Sequence, residues 1–184
     1  MATESGLQFT LHVEGLPDDA LAVVDFSGAS ALSAPFLYQV KLASRTDTLT
    51  AHDVVDRNVS LMLWKDGELV QRFHGVVRSF TRGDTGFSHT RYALEMVPAL
   101  SRLSLRHNSR IFQQQSVPEI ISILLQEMGI DEYAFSVSGS PQVREYCVQY
   151  RESDLEFLAR IAAEEGLFYT FLHSKDKHTV LFSD

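Results

Sequence analysis

Two serines, each with a glutamate three residues on and an apolar stripe behind it, fix where this chain can be helical. Ser116 with Glu119 and Ser153 with Glu156 have capping-box spacing. In that arrangement the serine side chain meets the N–H three residues ahead and the glutamate reaches back to the serine N–H. Pro118 lies in the first turn, where its missing N–H costs nothing. Val117, Ile120, Ile121, Leu124, Leu125 and Met128 then recur at helical spacing until Gly129 stops them. The second stripe is Leu155, Leu158, Ile161 and Ala162, and it stops at Gly166. Both helices fall beyond residue 115, so the preceding chain must be built differently.

It is built of strands. Leu7, Phe9, Leu11 and Val13 alternate with Gln8, Thr10 and His12, the period of a half-buried strand. Phe36, Tyr38, Val40 and Leu42 repeat the pattern, as do Val59, Leu61 and Leu63, with Met62 and Trp64 on the opposite face. Asp66-Gly67 supplies a hairpin dipeptide, and the return strand runs from Leu69 to Arg82 with Gly75 inside it. An interior glycine of this kind marks a bulge or a sharp bend. A turn at Gly83–Gly86 leads into Phe87 to Val97. These runs predict a small antiparallel barrel. Beyond residue 98, Tyr133 to Val137 and Arg144 to Tyr150 read as further strands, and Leu167 to His173 and His178 to Phe182 as a hairpin. No internal repeat is apparent. The expected class is mainly β with two helices, an α+β chain. Residues 1–105 would form the barrel and 106–184 a helix-bearing segment.

Composition narrows the function. A chain of 184 residues can bury roughly 70% of its unfolded surface without staples. Its one cysteine, Cys147, excludes an internal disulfide framework and fits a reducing compartment. The start lacks the basic flank and apolar core of a signal peptide, and no apolar run approaches the roughly 20 residues that span a bilayer. The protein is therefore expected to be made in the cytoplasm, with no membrane-spanning segment. With 24 acidic against 16 basic residues the net charge is −8, which argues against nucleic acid as a partner. The nearest basic patch is Arg102, Arg106, His107 and Arg110. Its arginines, four apart, would align on one helix face, and an ion-paired or solvated face is the expectation.

Catalytic motifs were weighed and set aside. Asp84-Thr85-Gly86 spells an aspartic-protease triplet, but Arg82-Gly83 precedes it instead of an apolar strand, and a hairpin turn explains both it and Arg82-Gly83-Asp84. Ser174-Lys175-Asp176-Lys177 has the spacing of an acyl-enzyme motif that belongs at a helix start, whereas this copy lies in a loop between strands. The seven histidines form no helical pair, although His173 and His178 flank the last hairpin loop and could approach one another. Cys147, between Tyr146 and Val148 on a strand, is expected to be a buried, inert thiol. Glu164 and Glu165 are sequential on a helix and point to different faces. No catalytic, cofactor-binding or metal-binding residue is assigned, no cofactor is expected, and the chain is not expected to be an enzyme. Leu167-Phe168-Tyr169-Thr170-Phe171-Leu172 is apolar on both faces, as in a core strand or one buried partly by a neighbouring subunit.

Several passages together carry a family likeness. They are Phe36-Leu37-Tyr38-Gln39-Val40, Arg72-Phe73-His74-Gly75-Val76-Val77, Arg110 to Ile121, Glu145 to Leu158, and Glu164-Glu165-Gly166-Leu167-Phe168-Tyr169. In order and spacing they resemble the VgrG spike proteins of bacterial type VI secretion and the related baseplate hubs of contractile phage tails. The resemblance implies a mechanical part. A hub-like head of two related β-barrels trimerises, caps a hexameric tube, nucleates tube assembly on baseplate components and is driven into target cells with its effectors. It supplies no catalytic position. A phage tail hub is the alternative with the same role; a spike-borne hydrolase or a free-standing binding barrel would need chemistry these residues lack. The last apolar run reaches Phe182, so the natural protein is expected to continue past Asp184, and trimerisation is expected of that longer protein.

Overall fold

The computed structural model describes residues 6–184, mostly β-strand, in two compact units. One comprises residues 6–30, Phe36–Pro98 and His173–His178, the other Ala31–Pro35, Ala99–Leu172 and Thr179–Asp184.

The first unit holds β1 (Leu7–Val13), β2 (Ala22–Ala31), β3 (Ala34–Ser44), β4 (Asn58–Lys65), β5 (Glu68–Thr85) and β6 (Thr90–Val97). They are hydrogen-bonded in the order β1-β2-β3-β6-β5-β4, and β4 pairs back onto β1 from Leu7↔Lys65 to Val13↔Val59. The alternation read from the sequence places Leu11, Val13, Phe36, Tyr38, Val40, Leu42, Val59, Leu61, Leu94 and Met96 inside. Asp66 and Gly67 both have positive φ, 51° and 82°, the backbone that a two-residue hairpin turn demands.

Strand β5 is long because it serves two neighbours, β4 along its first half and β6 along its second. Gly75 sits where those halves meet. A Cβ there would lie 2.5 Å from the Val97 carbonyl oxygen, so the close approach admits only glycine. The register with β6 shifts between Val77 and Ser79, just beyond it. Two details differ from expectation. Strand β5 continues through Gly83 to Thr85, so the turn is Gly86–His89 and Phe87 is at its tip. Strand β2 and the four-residue helix α1 (Ala51–Val54) were not anticipated: β2 buries too little to alternate, and α1 is too short for a period.

The second unit opens with a 3-10 turn at Ala99–Leu105. It continues through β7 (His107–Ser116), α2 (Val117–Glu127), β8 (Tyr133–Ser136), β9 (Val143–Ser153), α3 (Asp154–Glu164), β10 (Phe168–His173) and β11 (His178–Ser183), except that the end residues His173 and His178 belong to the first unit. Strands β7 and β9 form an antiparallel ribbon. Strand β11 lies between β10 and β8 and runs parallel to β8. The two predicted stripes meet in one cluster in which Val117, Ile120, Ile121, Leu124, Leu125, Phe157, Leu158 and Ile161 are fully buried. Each such side chain contributes about 1.5–3 kcal/mol of apolar burial. Both helices start on their capping boxes and stop at glycines in the left-handed region, Gly129 at φ 65° and Gly166 at φ 76°.

The second unit corrects two expectations. Arg102, Arg106 and Arg110 do not share a helix face: the first lies in the 3-10 turn, the second in the link beyond it, the third on β7. A repeat is also present. Ser116 and Ser153, Glu119 and Glu156, and Gly129 and Gly166 stand at equal intervals, each set within a strand–helix–strand arm. Each arm has a non-glycine residue at positive φ two positions before its cap, Gln114 at 53° and Arg151 at 51°.

Candidate functional site

The ribbon has two chemically opposite faces, set by strand alternation. Outward stand Ile111 opposite Val148, Gln113 opposite Tyr146 and Ser109 opposite Tyr150. None of the six is charged, and Ile111, Tyr146, Val148 and Tyr150 are 62%, 61%, 47% and 64% exposed. Aromatic residues are enriched, and charged ones depleted, at the cores of contact surfaces. The guanidinium of Arg151 lies 5.2 Å from the Tyr150 ring at the edge of this patch.

The inward face carries an ionic network around Asp154, the first residue of α3, which is fully buried. Its carboxylate accepts hydrogen bonds from Arg106 Nε, Asn108 Nδ2 at 3.0 Å and Gln149 Nε2 at 2.7 Å. Burial pushes this carboxyl up, but the bonds from Gln149, Asn108 and Arg106 and the Arg106 charge outweigh it and hold it below the ordinary range. Arg106 and Arg110 also share Glu127 at the end of α2. Arg106 and Arg110 are thus ion-paired, and they tie the link after the 3-10 turn, the ribbon and both helices together.

Other candidates resolve in the same way. Cys147 is buried on the ribbon's inner face opposite Phe112, and burial raises its thiol despite the nearby Arg144. Glu164 and Glu165 were expected to point to different faces, but α3 ends at Glu164 and both carboxylates bind Arg144, at 2.7 and 3.0 Å, with Glu164 also pairing with Arg160 at 2.9 Å. Asp84 belongs to the flank of the exposed β5–β6 hairpin. Ser174 caps its own turn, accepting nothing catalytic: its N–H and Oγ both donate to the Lys177 carbonyl. His173 and His178 do approach, with ring centroids 6.2 Å apart, and His74 joins them 6.4 Å from His173. Sequence spacing gave no hint of His74, which is brought there by β5. Among the described residues, no group of three or more His, Cys, Asp or Glu is placed to hold a metal ion, and no helix is long and apolar enough to cross a membrane.

The sequence-predicted candidates of the second unit are thus held in structural contacts, beside a ribbon face that is exposed and uncharged. Residues 30–184 match the family described as phage tail baseplate hub (GPD). The chain belongs to that family. Among curated hub relatives, the type VI secretion system spike protein VgrG3 of Vibrio cholerae is 57% identical over 97% of this chain and 18% of its own length. The actin cross-linking toxin VgrG1 of the same species is 55% identical over 97% of this chain and 17% of its own length. The chain therefore spans about a fifth of these relatives. Among solved structures, the E. coli c3393 protein superposes with a TM-score of 0.85 at 25% identity, covering 95% of this chain and 48% of that one. That protein is described as a component of the type VI secretion system with structural similarity to the T4 bacteriophage tail proteins gp27 and gp5. The resemblance read from the sequence is the family found, and the fold is of the gp27/gp5 kind.

Proposed function

We propose that this chain is the head of a type VI secretion spike, a structural part that caps a hexameric tube, nucleates its assembly on baseplate components and is propelled into target cells with effectors. The observation that carries this reading is the 57% identity to a type VI spike protein over 97% of the chain. Residues 1–105 form the first hub-type barrel, a role that the β1-β2-β3-β6-β5-β4 ring of pairings supports. Residues 106–184 form the segment that leads to a second barrel. The longer protein is a homotrimer, made in the cytoplasm and exported by the apparatus. The uncharged outer face of the ribbon suits a lasting contact, because burying it strands no charge. No catalytic, cofactor-binding or metal-binding position is assigned among the described residues; what the toxin relative does is a property of that protein.

The test is molar mass in solution, measured by light scattering on this chain and on the longer natural protein. A monomer or weak oligomer here with a firm trimer there supports the spike head, and a longer protein that stays monomeric at micromolar concentration refutes it. A contractile phage tail hub is the second reading, favoured by the family's own description. Binding assays against a secretion tube protein and a phage tail tube protein separate the two.

A further inference from the structure

We propose that His173 is an acid-sensitive latch, and that protonating its ring releases the turn Ser174–Lys177 from strand β5. The turn, which belongs to the first unit, meets β5 through hydrogen bonds that include the following. The backbone N–H of His74 donates to His173 Nδ1 at 3.0 Å, His74 Nε2 donates to the Ser174 carbonyl at 3.1 Å, and Arg72 Nη1 donates to the Lys175 carbonyl at 2.7 Å.

The two imidazoles answer a proton differently. His74 carries its hydrogen on Nε2, since a carbonyl can only accept, and its Nδ1 meets the Ser60 hydroxyl at 2.8 Å. A second proton on His74 is accommodated by rotating that hydroxyl from donor to acceptor. His173 has no such escape. Its Nδ1 faces a peptide N–H, which cannot rotate or accept, so a proton there sets two donors against each other at 3.0 Å.

The surroundings add to this. Phe36 from β3 and Phe73 from β5 lie 5.5 and 5.7 Å from the His173 ring. His74 on β5 and His178 on β11 have rings 6.4 and 6.2 Å from it, Arg72 on β5 is bonded to the turn, and Lys175, Asp176 and Lys177 make up the turn itself. Burial, and the neighbouring His74, hold the ring down to about 4. The latch is therefore closed at neutral pH, and it is a property of the strand–turn contact whether or not the chain caps a tube.

Hydrogen exchange of the His74 amide, corrected for intrinsic rates and followed by NMR from pH 7 to 4.5, tests it. Protection should fall by about tenfold or more, because the opened turn binds the proton that the closed turn refuses. The amide of Leu94 in β6 should keep its protection, and a parallel fall there would mean unfolding of the whole unit and overturn the latch. His173→Asn keeps an acceptor near the position of Nδ1 without a titrating ring, so its His74 protection should stay flat across the range. His173→Phe removes the acceptor and should lose that protection already at pH 7. Flat protection in the unsubstituted chain, or a loss in H173N that parallels it, would overturn the proposal. Should H173F fail to fold, the unsubstituted chain and H173N decide the matter.

Discussion

Gly75 lies against the backbone of Val97 so closely that no side chain fits between them: a Cβ on Gly75 would stand 2.5 Å from the Val97 carbonyl oxygen. The obstacle is backbone, which cannot swing aside as a side chain would. Gly75→Ala should therefore destabilise the first unit by about 1–3 kcal/mol, the range of overpacked cores. Thermal unfolding followed by Tyr and Trp fluorescence measures it, and an unchanged midpoint would show that β5 yields.

Asp154 is one of the carboxylates that make the second unit acid-sensitive, with Glu119, Glu156 and Glu164. The Asp154 carboxyl is held below its ordinary value of 3.8 in the folded state, so the unfolded chain binds more protons as the pH falls past that value. The stability it contributes is full above the ordinary value and lost as the pH drops through the folded one. Asp154→Ala, which removes the buried acceptor of Arg106, Asn108 and Gln149 but leaves both arginines paired with Glu127, should cost about 1–3 kcal/mol at pH 7. Urea titrations at pH 7 and pH 3 should show the gap between D154A and the unsubstituted chain narrowing at the lower pH.

The cap of α3 is reciprocal: Ser153 Oγ accepts from the Glu156 N–H at 3.2 Å while Glu156 takes the Ser153 N–H at 2.7 Å. Ser153→Ala removes one of these and should lower stability by about 1 kcal/mol. Ser153→Asp, which caps as well, should restore most of the loss in the same denaturation assay.

Cys147 should be slow to alkylate. Its thiol is buried, and burial raises it away from the reactive thiolate. Iodoacetamide at pH 8 should label the folded chain at least about tenfold more slowly than the chain in urea. Equal rates would mean that the ribbon's inner face opens freely.

What could be read from the residues was whatever is local. Capping boxes, glycine stops and strand alternation act within a few positions, and Ser116, Gly129, Ser153, Gly166 and the run from Phe36 to Leu42 all stand as expected. The three arginines misled for the opposite reason. Spacing of four suits a helix, but Arg106 and Arg110 are placed by Asp154, more than forty residues on, and a partner that distant leaves no mark on local periodicity. Strand β2 was invisible because most of its residues are exposed, so no alternation is imposed on them. The repeat escaped because its halves share caps and stops but not core residues: Leu125 corresponds to Ala162, and Ile120 to Phe157. The grouping of His74 with His173 was equally unreadable, being made by a strand that passes the turn late in the chain.

At both strand-to-helix junctions the chain changes from extended to helical between adjacent residues, Ser116 to Val117 and Ser153 to Asp154, with one residue at positive φ making the bend. No loop residue therefore separates the ribbon from its helices. A load applied to Tyr146 or Val148 would meet the packed helical layer through two covalent joints that lack the slack of a linker.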